Sequence, residues 1–131
     1  MTDIAEKFAS LEAVVAKKKG DFSLFALFLR EDAPDRWDLM VAATWASQNK
    51  NETVEYLVNE IKSHPDLGPQ ELINLSRILV VVPHDPEVQK FTKTFPVEHG
   101  RLEVRDRIIF GLPIQHAFII TAKDSGVPVS R

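Results

Sequence analysis

Phe22–Arg30 reads FSLFALFLR and Trp37–Trp45 reads WDLMVAATW, and the two are separated by the polar segment Glu31–Arg36, EDAPDR. This pair decides the fold. The first run is almost unbroken apolar sequence, which fits a strand covered on both faces. The second alternates. Trp37, Leu39, Val41, Ala43 and Trp45 share one side; Asp38, Met40, Ala42 and Thr44 share the other. Two such runs joined by a short turn containing Pro34 predict an antiparallel hairpin. A strand that is apolar on both sides needs cover on both, from helices or from a partner chain.

Outward from the hairpin, helical signals flank it. Upstream, Ile4, Phe8, Leu11 and Val15 form one stripe. Asp3 and Glu6 make a capping box, and Lys17–Lys19 followed by Gly20 supply the C-terminal stop. The lysine triplet resembles a nucleic-acid patch, but helix termination accounts for it. Downstream, Asn49 and Glu52 start a second helix with the stripe Val54, Leu57, Val58, Ile61, ended by Pro65. Pro69 opens a short helical turn to about residue 75. Ile78–Val82, ILVVV, is strongly β-forming and lacks alternation, so an interior strand is expected there. Asp85, Pro86 and Glu87 form a helix start, with Val88, Phe91 and Phe95 facing inward until Pro96. Arg101–Arg105 and Ile114–Ala122 read as strands. The expected order is α-β-β-α-(α)-β-α-β-β, an α+β fold with a mixed, mainly antiparallel sheet of about five strands and packed helices. Residues 1–122 form a single domain in this reading, and the tail from Lys123 is expected to be flexible.

Composition bounds function by exclusion. The 131 residues suffice for one domain with its own core. Sixteen Lys and Arg against 19 Asp and Glu give a net charge of −3, without the positive field that nonspecific phosphate binding requires. The absence of cysteine removes disulfides, thiolate-bound zinc, iron–sulfur clusters and a thiol nucleophile. The longest apolar run, Leu24–Leu29, is far shorter than a membrane span, and the N-terminal residues lack the layout of a signal peptide. A cytoplasmic location, with no membrane contact and no cofactor, is expected.

Candidate sites are sparse. The turn around Arg30, Glu31, Asp32, Arg36 and Asp38 is the densest group of charges, able in principle to hold a divalent ion or to share a raised pKa. A solvated hairpin tip is the better account of it, and no calcium-loop spacing is present, so no metal is assigned. His84 and Asp85 follow a strand directly and precede a helix, the position where ligands gather in open α/β sheets. A turn histidine beside a capping aspartate is the plain alternative. His64 reads as a cation at a helix end, and His116 as a satisfied core histidine on the side of Ile114 and Phe118. Asp38 with Glu103-Val104-Arg105 imitates a metal-dependent nuclease only distantly, with an arginine where a lysine is needed. His99 belongs to no template. Phosphate-loop, dinucleotide and serine-hydrolase motifs are missing.

Apolar excess carries more weight. Ile108, Ile109, Phe110 and Leu112 surround Gly111 in what should be a connection. They either form an exposed contact patch or extend the strands, with Gly111 at a bulge. Trp37 and Trp45, on one face, are either core or interface. The sequence therefore points first to a domain that works through protein contact, as a homo-oligomer or with another protein. The alternative is a small-ligand-binding protein or hydrolytic enzyme whose site joins His84 and Asp85 to the Arg30–Asp38 turn, which requires the two loops to converge. Nucleic-acid binding through Arg101, Arg105 and Arg107, which alternation places on one strand face, is a weaker third reading.

Overall fold

β1 (Leu24–Arg30) is the centre of the sheet, which explains why its sequence is apolar on both sides. A computed structural model describes residues 4–65 and 67–123. The expected cap Asp3 and the expected tail beyond Lys123 lie outside the described residues. The elements follow the expected order: α1 (Ile4–Lys19), β1, β2 (Trp37–Ala42), α2 (Lys50–Ser63), α3 (Pro69–Ile73), β3 (Leu75–Val81), α4 (Pro86–Thr94), β4 (Leu102–Ile109) and β5 (Leu112–Ala122). The five strands are arranged β3-β2-β1-β5-β4. Every pairing is antiparallel except β2 with β3, which are joined through α2 and α3 and run parallel.

Each face of the sheet has its own apolar cluster. On one, Phe8, Leu11 and Val15 of α1 and Leu57 and Ile61 of α2 pack on Phe25, Leu27, Leu39, Val41 and Ile120. On the other, Val88 and Phe91 of α4 pack on Leu24, Ala26, Phe28, Ala117 and Ile119. Alternate residues of β1 thus serve two cores, both by helix cover. Gly20, at φ 120°, ends α1 in the conformation glycine adopts freely, and its carbonyl accepts the Trp45 indole N–H at 3.0 Å.

Several expectations are corrected. The expected strand at Ile78–Val82 is the second half of β3, which ends at Val81 and is an edge strand rather than an interior one. Its unbroken apolar pattern reports that both faces are partly covered, and says nothing of what lies beside it. β2 ends at Ala42 rather than at Trp45, because β1 offers no residue to pair beyond that point. The chain turns at Ala43–Ser47 instead, and Trp45 keeps its side of the sheet by packing on Phe22 and Tyr56. The Ile108–Pro113 connection is no loop. Both strands run on through it, and only Phe110 and Gly111 turn, both at positive φ as a two-residue hairpin of the primed type requires.

Two irregularities overturn the simple alternation of β4 and β5. Asp106 takes φ 52°, and opposite it the pairing of β5 with β1 slips between Leu29 and Arg30. An extra residue reverses the facing of everything beyond it. Arg101 therefore lies over Phe118 on the α1 side while Arg107 lies over Phe95 on the α4 side. The three arginines do not share a face. For the same reason Ile114 and His116 face opposite ways: Ile114 joins the α4 core, and His116 contacts Trp37 and Phe118.

Candidate functional site

The Arg30 end of the sheet brings two of the expected features together. Arg30 closes β1, and its Nε bonds Asp38 Oδ2 at 3.0 Å. From the neighbouring edge strand Arg77 Nε reaches the same oxygen at 3.1 Å. Asp38 is 3% exposed, so this is a buried acceptor shared by two guanidiniums. Arg30 also bonds exposed Asp32, while Glu31 and Arg36 sit in water at the turn. The turn is locked from the other side as well, where the Glu31 backbone N–H donates to the Pro113 carbonyl at 3.1 Å. The group predicted as an ion or acid–base site is thus a cross-brace between β1, β2 and β3.

That brace adjoins the β4–β5 hairpin tip. Ile109 is buried, and Phe110 is half-buried with its ring 5.2 Å from Phe91 and 6.2 Å from Phe28. Ile108 is 75% exposed and Leu112 39% exposed. A groove of about 280 Å³ lies between the tip and α4, floored by Phe91, Phe95 and Phe110 and edged by Glu87, Lys90 and Arg107. Trp37 and Trp45 are not part of it. Trp37 stacks on Phe118 at 5.6 Å and Trp45 packs on Phe22, both on the α1–α2 side, so neither offers a free aromatic face there.

His84 and Asp85 stand elsewhere. The parallel register puts Trp37 beside Leu75 and Ala42 beside Val81. The Arg30–Asp38 turn is therefore at the start of β3 and His84 follows its end, a strand length of about 20 Å away. His84 is exposed, and Asp85 accepts the Glu87 N–H at 2.9 Å as the cap of α4. The convergence that the ligand-site reading requires does not occur. The nuclease-like pair does not assemble either. Asp38 is tied into the brace on β2, while Glu103 on the far edge strand bonds His116 at 2.6 Å and Arg105 at 2.7 Å. His64 is buried, with Nε2 3.2 Å from the Ser10 hydroxyl.

A second polar centre was missed by pattern reading. Glu12 is 1% exposed inside the α1–β5 interface. Its Oε2 accepts the Thr121 hydroxyl proton at 2.9 Å, and its Oε1 lies 2.9 Å from His99 Nδ1. The His99 backbone N–H donates back to Thr121 Oγ1 at 3.1 Å. The signal was present, because Glu12 falls four residues after Phe8 and three before Val15, on the apolar stripe itself. A carboxylate at such a position must find partners. Outside it, Lys123 bonds both Asp21 and Glu98, and with His99 those two carboxylates place three potential ligand atoms within 4.8 Å of one another.

Lys123 already supplies the cation between those carboxylates. Its hydrogen bond, followed by its charge, holds Asp21 and Glu98 below their ordinary values of 3.8 and 4.5. Burial pulls the Lys123 ammonium down, but the bonds and charges of Glu98 and Asp21 outweigh it and hold it above its ordinary 10.5. Lowered carboxylates stabilise the fold above their unfolded values and lose that effect as pH falls; a raised lysine stabilises it below its unfolded value and loses it as pH rises. Urea midpoints of the wild type and Lys123→Met should differ by a constant amount from pH 5 to 10, the wild type higher. The two curves should converge below pH 4 and above pH 11, and a gap that widened toward acid would refute the assignment.

Among the described residues no helix is long and apolar enough to cross a membrane. No protein-family model, no curated protein and no solved structure matches the chain.

Proposed function

We propose that the chain is a protein-contact domain of the cytoplasm whose docking surface is the β4–β5 hairpin tip. The single observation behind this reading is Ile108, a large aliphatic side chain left 75% exposed on a tip that is otherwise tied down. A scattered exposed apolar residue needs no explanation, but here an aromatic-floored groove lies beside it, and Leu112 on the facing strand is exposed as well. An apolar centre with charged residues at its edge is the anatomy of a contact surface, and the pairing of β5 with β1 together with the packing of Phe110 on Phe91 and Phe28 keeps the tip in place without partner binding. The β4 edge itself is a poor docking site. β4 carries Glu103, Arg105, Asp106 and Arg107 within five residues, charges that oppose strand addition.

The test is a photo-crosslinking residue placed at position 108, with the exposed α2 position Glu55 as control. Illumination in cells should give one discrete adduct from position 108 and none from position 55. Equal yields from both, or no adduct at all, would refute the reading.

A further inference from the structure

We infer that the β3 edge of the sheet is a second contact surface, apart from the hairpin tip, and that β3 of another copy of this chain pairs with it antiparallel about a twofold axis. β3 and β4 are the outer strands, on opposite sides of the sheet. β3 pairs with β2, and among the described residues no backbone group from Leu75 to Val81 has a partner on its outer side. Such a row of unpaired N–H and C=O groups is a template for another strand unless charge, proline, a bulge or a covering element blunts it. β4 is blunted by Glu103, Arg105, Asp106 and Arg107. The Ile78–Val81 stretch of β3 is not blunted. It holds no charge, no proline and no break in its register with β2, and Ile78, Leu79 and Val81 are each left partly exposed.

The side chains along this edge define what fits it. Ile78 and Val80 belong to the α1–α2 core, and Leu79 and Val81 to the α4 core, so the arriving strand must be apolar on both faces. Among the described strands with a free edge, β3 itself meets that demand and β4 does not. Pairing β3 with β4 of the next copy would leave a free edge at each end and let the sheet grow without limit, whereas β3 on β3 closes at two copies. A twofold axis through Leu79 sets Ile78 opposite the partner's Val80 and Arg77 opposite the partner's Val81. Opposite residues then share a face, and apolar side chains meet on both faces of one continuous sheet. Arg77 is the one charge on β3, and this pairing keeps the two copies' guanidiniums about 13 Å apart along the ladder. A parallel pairing in register would set them side by side, which like charges disfavour.

Sedimentation of the full chain over a concentration series should show a monomer–dimer equilibrium. Ile78→Lys should raise its dissociation constant at least about tenfold, the added charge blunting β3 as charges blunt β4. Two further readouts hold even where that variant loses stability. The chain has no cysteine, so a single introduced thiol reports on one position. Under mild oxidation Leu79→Cys should crosslink to its own counterpart at least about tenfold faster than Ser76→Cys, because a residue on the axis faces itself. In the wild type, hydrogen exchange at the outward amides of Ile78–Val81 should slow as concentration rises, while exchange along β4 stays constant. A chain that sediments as a monomer throughout, or a dimer whose β3 amides gain no protection, overturns the inference. A dimer protected along the Ile108–Leu112 tip instead would overturn it too and leave the tip as the contact surface. If a photo-crosslinking residue at position 79 gives an adduct in cells whose mass is not twice that of the chain, another protein occupies the edge and the second copy falls.

Discussion

Glu12→Ala is expected to lower the free energy of unfolding by about 3 kcal/mol, seen as a lower urea midpoint with an unchanged denaturant slope. Three losses combine. The Thr121 hydroxyl, itself in a fully buried residue, loses its acceptor, and His99 Nδ1 loses the carboxylate 2.9 Å away. The vacated space lies among close-packed side chains that relax only partly, which adds a cavity term. The chain also loses a tie between its ends, because Glu12 on α1 bonds groups near residues 99 and 121. Glu12→Gln should cost much less, about 1 kcal/mol, since an amide oxygen still accepts from Thr121 and the amide NH₂ can face Nδ1 if the His99 ring takes its other tautomer. The two variants together separate hydrogen bonding from charge. Equal losses in both would assign the whole effect to the charge, and a loss below about 0.5 kcal/mol for Glu12→Ala would mean the interface readily admits water.

The elements were legible because each is written in local chemistry. The apolar run Phe22–Arg30, the alternation of Trp37–Trp45 and the Asp85–Pro86 start have physical causes within a few residues, and the structure places strands or a helix at all three. What pattern reading could not give is lateral. Ile78–Val82 is apolar on both sides, yet it is an edge, because covering of the faces leaves no trace of the number of strand neighbours. Alternation also fails wherever an extra residue enters. The kink at Asp106 separates Arg107 from Arg105, and nothing in RLEVRDRII announces it. The site was legible in parts and misassembled as a whole. The Arg30 turn and the Ile108–Leu112 segment were both noticed, but the turn was joined to His84, a strand length away. Which loops share an end of the sheet depends on the β1–β5 pairing, a contact between residues nearly ninety positions apart. Glu12 was the exception in the other direction, a charge on an apolar stripe that local reasoning could have flagged.

Asp38→Ala is expected to cost about 3 kcal/mol, close to Glu12→Ala, and the order of the single arginine variants beside it reveals where the energy resides. Asp38 is 3% exposed and holds two guanidiniums on one oxygen. Removing the carboxylate does not affect the two arginines equally. The Arg77 side chain is 42% exposed on an edge strand and can turn into water. The Arg30 side chain is 18% exposed at the end of the central strand, with only solvent-facing Asp32 left as a partner. Most of the loss in Asp38→Ala is therefore the cost of leaving Arg30 half-buried without its acceptor. Accordingly, Arg77→Ala should cost below about 1 kcal/mol, as for an exposed pair, and Arg30→Ala about 2 kcal/mol, because it takes one of two charged hydrogen bonds from a buried carboxylate. The double variant Arg30→Ala with Asp38→Ala should be no worse than Asp38→Ala alone, since no stranded cation remains. Reversal of that order, with Arg77 the costlier residue, would place the main strut of the brace on the edge strand.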